Sequence, residues 1–220
     1  MHHFDEIYGL AADRHGGPHA LEDKLSKPKS AKELGALSED RWLSTITKCI
    51  FQAGFNWKVI EAKWDGFEAA FDGFDVGRCA FMDDEKFDAL LQDTRIVRNG
   101  TKIATVRDNA AFLLELRTEG GVGKVLGGWP STDYVGLLDM LAKRGSRLGG
   151  ASAQYAMRFA GRDSFILSRD VTARLIAEGV IDKPATSKKA MAAVQDAFNI
   201  WMHQSGRSLT EISRVLAMSL

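Results

Sequence analysis

The stretch from Leu137 to Arg158 concentrates the groups best suited to holding an anion. A helical pattern stops at Gly145, Ser146-Arg147-Leu148 makes a tight turn, and a second helix opens at Gly149-Gly150. The first backbone N–H groups of a helix have no partner within it and carry the positive end of its dipole, and glycines leave them open to a phosphate. Arg144 and Arg147 add positive charge beside that turn. An ordinary helical hairpin whose glycines serve only as caps has the same pattern, and such hairpins are commoner. Other chemistries have weaker claims. His2, His3, His15, His19 and His203 show no metal-ligand spacing in a helical frame. Cys49 and Cys79 are too few for a disulfide framework or a four-ligand zinc site and sit inside apolar patterns, where buried free thiols are the expectation. Gly120-Gly121-Val122-Gly123 follows a helix rather than a strand, which removes a phosphate loop or dinucleotide fingerprint.

These residues need elements to position them, and the apolar spacing is helical almost everywhere. Trp57, Ile60, Trp64, Phe67 and Phe71 fall three or four apart, as do Trp42, Ile46, Ile50 and Ala53 before them. Ile103, Val106, Ala110 and Leu113 repeat the pattern, and Met191, Val194, Phe198 and Trp201 repeat it again. Ser38-Glu39-Asp40, Ser131-Thr132-Asp133 and Thr186-Ser187 supply helix starts, and no run alternates with period two. The expectation is an all-α chain of roughly nine or ten helices, a single domain with two lobes, about 1–125 and 126–220, around a cleft. Gly120 to Gly128 is the candidate linker.

With 45% hydrophobic and 26% charged residues among 220, disorder is excluded. No run approaches the ~18 apolar residues of a membrane span, and Met1-His2-His3-Phe4-Asp5-Glu6 lacks the pattern of a secretory signal, so a cytoplasmic protein without a membrane partner is expected. The net charge of zero hides a polarity: residues 1–93 hold 11 Lys and Arg against 18 Asp and Glu, and the remainder holds 18 against 11. A basic half suits a polyanion bound in a salt-dependent way, although chance clustering of solvated charge fits as well.

The hairpin, followed by Phe165-Ile166-Leu167-Ser168-Arg169-Asp170-Val171, resembles the helix-hairpin-helix DNA glycosylases. Gln52-Ala53-Gly54-Phe55-Asn56-Trp57, then Phe71-Asp72-Gly73-Phe74-Asp75, then Leu91-Gln92-Asp93-Thr94-Arg95-Ile96-Val97-Arg98-Asn99-Gly100-Thr101-Lys102-Ile103 look like the signature of the 3-methyladenine DNA glycosylase I family. The likeness runs from about Trp42 to Val171, and the pair Q-A-G-x-x-W with I-[IV]-R-x-x-x-K-I is fairly specific. The resemblance implies an all-helical enzyme that binds damaged duplex DNA, flips out a modified base and hydrolyses its N-glycosidic bond without a cofactor. Trp57 then matches a tryptophan that stacks on the extruded base, a suitable partner for a cationic purine. Spacing alone would instead put Trp57 in the core stripe. Gln52 matches a pocket position, with a helix-capping glutamine as the alternative, and Phe55 and Cys49 complete the implied substrate-binding set. Arg144, Gly145, Arg147, Gly149, Gly150 and Arg169 form the implied DNA-binding set, although Arg169 also suits a solvated face. In relatives a catalytic aspartate follows the hairpin. Asp170 is the candidate here, although strict register would put Ser168 at that position and Asp170 can equally serve as a helix cap.

The departures matter as well. Where the family reads Y-H-D-x-E-W-G, this chain reads Ala11-Ala12-Asp13-Arg14-His15-Gly16-Gly17, which drops a pocket tyrosine, a pocket tryptophan and a zinc-ligand histidine. Cys49 stands where the family has the glutamate that hydrogen-bonds the base, and no His and Cys ligand pair follows Asp170. No zinc is therefore expected. Ala151-Ser152-Ala153 fills the turn in which bifunctional relatives carry a Schiff-base lysine, so a monofunctional reaction on damaged duplex DNA by a monomer is expected. The alternatives are a non-catalytic DNA-binding protein of the same fold and a helical scaffold for another protein.

Overall fold

The computed structural model describes residues 1–220, which form helices, turns and loops with no strand. In chain order the α-helices are α1 (Phe4–Arg14), α2 (Pro18–Glu22), α3 (Ala31–Ala36), α4 (Glu39–Gln52), α5 (Trp57–Ala62), α6 (Trp64–Ala70) and α7 (Val76–Ala80). They continue as α8 (Asp84–Gln92), α9 (Gly100–Leu116), α10 (Tyr134–Arg144), α11 (Ala151–Ala160), α12 (Arg169–Ala177), α13 (Lys188–Ser205) and α14 (Leu209–Met218). The all-α class follows from the spacing, but the helices outnumber the nine or ten expected. Five of them, α2, α3, α5, α6 and α7, have only five to seven residues, too few for periodicity to announce. The apparent single face from Trp57 to Phe71 breaks at Lys63, where φ is −98° and ψ is 1°. Trp57 and Ile60 therefore lie on one short helix and Trp64 and Phe67 on the next.

The chain forms two compact units that interleave in sequence. One comprises Ser30–Trp129 and Leu137–Ala160. Its centre is α4, whose Trp42, Leu43, Ile46, Ile50 and Phe51 are buried, and which packs against α9 and α11. Each such side chain contributes roughly 1.5–3 kcal/mol by leaving water. Asn99 starts α9 by accepting the Lys102 N–H, and Ile103, Val106, Ala110 and Leu113 supply its buried face. The expected linker is ordered: Gly123–Gly127 is a π-helical turn packed on α3. A Cβ at Gly123 or Gly127 would sit 2.8 Å from Gly35 Cα or Leu34 Cβ, so these glycines serve close packing rather than flexibility.

The other unit comprises Met1–Lys29, Pro130–Gly136 and Gly161–Leu220. Its core joins Tyr134, Phe165, Phe198 and Trp201 through successive ring contacts of 4.9, 4.5 and 5.7 Å. Ser208 and Glu211 form a capping box that starts α14. The expected lobes, 1–125 and 126–220, do not follow these units. Residues 1–29 join the C-terminal helices because α1 buries Phe4, Ile7 and Ala11 and packs on α13 and α14, a contact that charge counted along the chain does not register. No helix is long and apolar enough to cross a membrane.

Candidate active site

Asn56 starts α5 by accepting the Lys58 N–H, which puts Trp57 at the first helical position. The indole is 41% exposed, whereas Ile60 on the same helix is fully buried. Tyr155 and Phe159 of α11 meet Trp57 at 5.3 and 5.9 Å between ring centroids, nearly perpendicular to it. Edge-to-face contacts of this kind fix an aromatic plane without covering it. Trp64, half-buried, is packed more closely, stacking on Phe67 at 5.0 Å and on Phe74 at 5.5 Å.

Beside Trp57 lies a cavity of about 360 Å³ whose lining includes Lys48, Gln52, Glu61, Trp64 and Phe159. Gln52 ends α4 and is 2% exposed. It does not cap the helix: its Nε2 donates to Glu61 Oε1 at 3.1 Å, and its Oε1, also buried, has no hydrogen-bond partner. Lys48 Nζ donates to the other Glu61 oxygen at 2.7 Å and lies 5.1 Å from the centre of the Trp64 ring. The remaining substrate-binding candidates stand apart from this lining. Cys49 is 4% exposed, and burial pushes its thiol up to about 12, so it offers no anionic acceptor at neutral pH. Burial, reinforced by Asp72 and Asp75, does the same to Cys79. Phe55 is 41% exposed with Lys102 Nζ 4.7 Å above its ring.

Lys102, the lysine of the R-x-x-x-K motif, went unassigned in the sequence reading. It is buried and donates to Phe51 O at 3.1 Å and Ala53 O at 2.6 Å, satisfying carbonyls left open at the end of α4 and bracing the turn that leads to Trp57. Burial, and then the Arg147 charge, hold its pKa below 10.5.

The hairpin between α10 and α11 is closed by Asn109 of α9, which is fully buried. Its Oδ1 accepts the Ser146 N–H at 2.8 Å and its Nδ2 donates to Ser146 O at 3.0 Å. Gly145 is required by packing, since a Cβ there would sit 2.6 Å from Leu148 Cδ1. Gly150 takes φ +57°, and neither it nor Gly149 has any atom within 4 Å of a Cβ position, so the start of α11 is open. Arg147 holds φ +55°, costly for a residue with a side chain, and is exposed. Arg144 is committed within the protein: it pairs with Glu119 at 2.7 Å and Glu115 at 3.5 Å and covers the Phe112 ring at 5.2 Å.

In the other unit, Asp170 and Arg169 open α12, and both are exposed. The cap of that helix is Ser168, whose Oγ accepts the Val171 N–H at 3.3 Å, so the capping alternative for Asp170 falls away. Asp163 is occupied, accepting the Thr210 N–H at 2.9 Å. A zinc clasp does not fit the side chains present. No three His, Cys, Asp or Glu groups converge on a metal position, and the His15 ring is engaged with Met218 O at 3.1 Å.

Residues 36–127, a span that holds the Gln52–Trp57 and Ile96–Ile103 motifs, match the methyladenine glycosylase family. Among solved structures the chain is similar to 3-methyladenine DNA glycosylase I from Staphylococcus aureus, with TM-score 0.51 and 18% identity over 70% of this chain and 91% of that one. It is also similar to a crystal structure of 3-methyladenine DNA glycosylase I at 24% identity and TM-score 0.49, over 65% of this chain and 86% of that one. The comparison with curated proteins gives no match. Residues 36–127 thus carry the pattern of the methyladenine glycosylase family, on an all-helical fold similar to that of the Staphylococcus aureus structure.

Proposed function

We propose that this protein is a monofunctional DNA-repair glycosylase that hydrolyses the N-glycosidic bond of an alkylated purine, with 3-methyladenine as the expected base, in duplex DNA. The observation that carries the reading is the Trp57 indole, held edge-on by Tyr155 and Phe159 yet 41% exposed beside a cavity. An aromatic plane fixed but uncovered is what a flipped base needs, and a cationic purine gains further from the indole face. The open N-terminus of α11 at Gly149-Gly150, with Arg147 beside it, suits a backbone phosphate. Chemistry then asks little of the protein. When the C1′–N bond breaks, its electron pair neutralises the departing cationic base. Water adds to C1′ and gives up a proton, and the Asp170 carboxylate is the candidate to steady the sugar cation or take that proton. The reading needs no cofactor and a single copy of the chain.

A second reading, a non-catalytic DNA-binding protein of the same fold, is favoured by Cys49, a buried neutral thiol where the family has a glutamate. Base release from methylated duplex DNA tests the choice. Release of free 3-methyladenine with an intact abasic site supports the glycosylase. Duplex binding without release of any base supports the binding protein.

A further inference from the structure

We propose that Glu61 is a specificity-determining carboxylate, reading the base beside Trp57 from α5 in place of an acid on α4. The identity of the ligand rests on the glycosylase reading above. The geometry of the site does not.

The cavity of about 360 Å³ falls within the roughly 300–1,000 Å³ typical of small-ligand sites. Its aromatic lining comes from Trp57, Trp64 and Phe159, and its polar lining from Ser44, Thr45, Lys48, Gln52 and Glu61; the Ser44 and Thr45 hydroxyls already donate within the protein, to Glu68 and to Arg41 O. A carboxylate only accepts, so the 3.1 Å contact to Glu61 identifies the Gln52 nitrogen and leaves the Gln52 oxygen as the acceptor without a donor. A buried acceptor left unpaired carries a desolvation cost that a ligand N–H can recover. Lys48 and Gln52 each occupy one Glu61 oxygen, orienting the carboxylate while leaving further lone pairs for a ligand. Glu61 and Gln52 thus present neighbouring acceptors to a planar ring, a pattern matched by the exocyclic amine of a 6-amino purine and opposed by the carbonyl oxygen of a 6-oxo purine. Cys49, on the same helix as Gln52, does not line this cavity.

The test uses the full chain and two free bases, 3-methyladenine and 7-methylguanine, with binding read from tryptophan fluorescence, since two of the five tryptophans line the cavity. The wild type should bind 3-methyladenine more tightly. Glu61→Gln should weaken that binding and narrow the preference between the bases by about tenfold, because a glutamine amide can also donate to a 6-oxo group. Glu61→Asp, which keeps the charge, should retain the preference and serves in place of the glutamine variant should that fail to fold. Unchanged affinity and preference in a folded Glu61 variant would overturn the proposal, and so would a wild type that binds neither base at millimolar concentration. A wild type that binds 3-methyladenine through Glu61 but releases no base from methylated duplex would sink the glycosylase reading and leave this one standing.

Discussion

Replacing Trp57 with alanine separates a stacking platform from a structural side chain. In a packed core, Phe or Trp to Ala costs about 3–5 kcal/mol. Two-fifths of this residue is already in water, and its neighbours Tyr155 and Phe159 touch it edge-on rather than enclosing it. The stability cost should therefore be about 1–2 kcal/mol, a fall in melting temperature of about 2–8 °C for a chain of this size. Loss of the stacked base should cost a further 1–3 kcal/mol or so in lesion recognition, roughly 5- to 150-fold in excision efficiency. Affinity for undamaged duplex, which needs no flipped base, should stay within about twofold. Trp64→Ala is the contrast: the ring lines the same cavity but is also stacked on Phe67 and Phe74, so its removal should destabilise the fold more than Trp57→Ala does. The assay is release of 3-methyladenine from methylated duplex under single-turnover conditions, alongside thermal unfolding and duplex binding. A folded Trp57→Ala protein with wild-type excision would refute the reasoning.

Asp170→Asn should slow excision without moving the melting temperature, because Ser168 caps α12, whereas Ser168→Ala should cost about 0.5–2 kcal/mol of stability; equal thermal losses in the two would place Asp170 in the fold instead. Gly150→Leu or Arg147→Glu should weaken binding to lesion-bearing and undamaged duplex alike, and the charge reversal should also flatten the salt dependence measured by titration. Lys102→Met should cost about 1–3 kcal/mol by leaving two carbonyls at the end of α4 without their donor. The folded pKa of Lys102 lies below 10.5, so the unfolded chain binds more protons between the two values and stability rises with pH through that window; denaturant midpoints across alkaline pH should show this rise in the wild type and lose it in the methionine variant.

Much of the architecture was legible because helices announce themselves locally. The faces through Trp42 and Ile46, or Ile103 and Val106, are buried as their spacing implies. The hairpin was legible for a similar reason, since glycines at 145, 149 and 150 leave few other readings. Failures begin where a decision depends on a few dihedral angles or on distant contacts. Spacing put Trp57 and Trp64 on one face, and only the break at Lys63 assigns one to a cavity rim and the other to an aromatic stack. Lys48, Gln52 and Glu61 come from two helices joined by a turn, and no periodicity predicts that they converge. Asn109 reads as one polar residue within a long helix until the backbone it clasps, 37 positions later, is brought to it.

The two buried thiols have a consequence for survival. Agents that methylate DNA also attack cysteine, and they do so through the thiolate. With both groups pushed up to about 12, on the order of one molecule in a hundred thousand carries a thiolate at either position at pH 7. Cys49 lies on the helix that carries Gln52 to the cavity, so a methyl group added there would have to be accommodated against the buried face of α4. A repair protein is needed most when electrophiles are abundant. Keeping its sulfur neutral and enclosed makes this chain a poor target for the alkylating reagents whose products the proposed activity would remove.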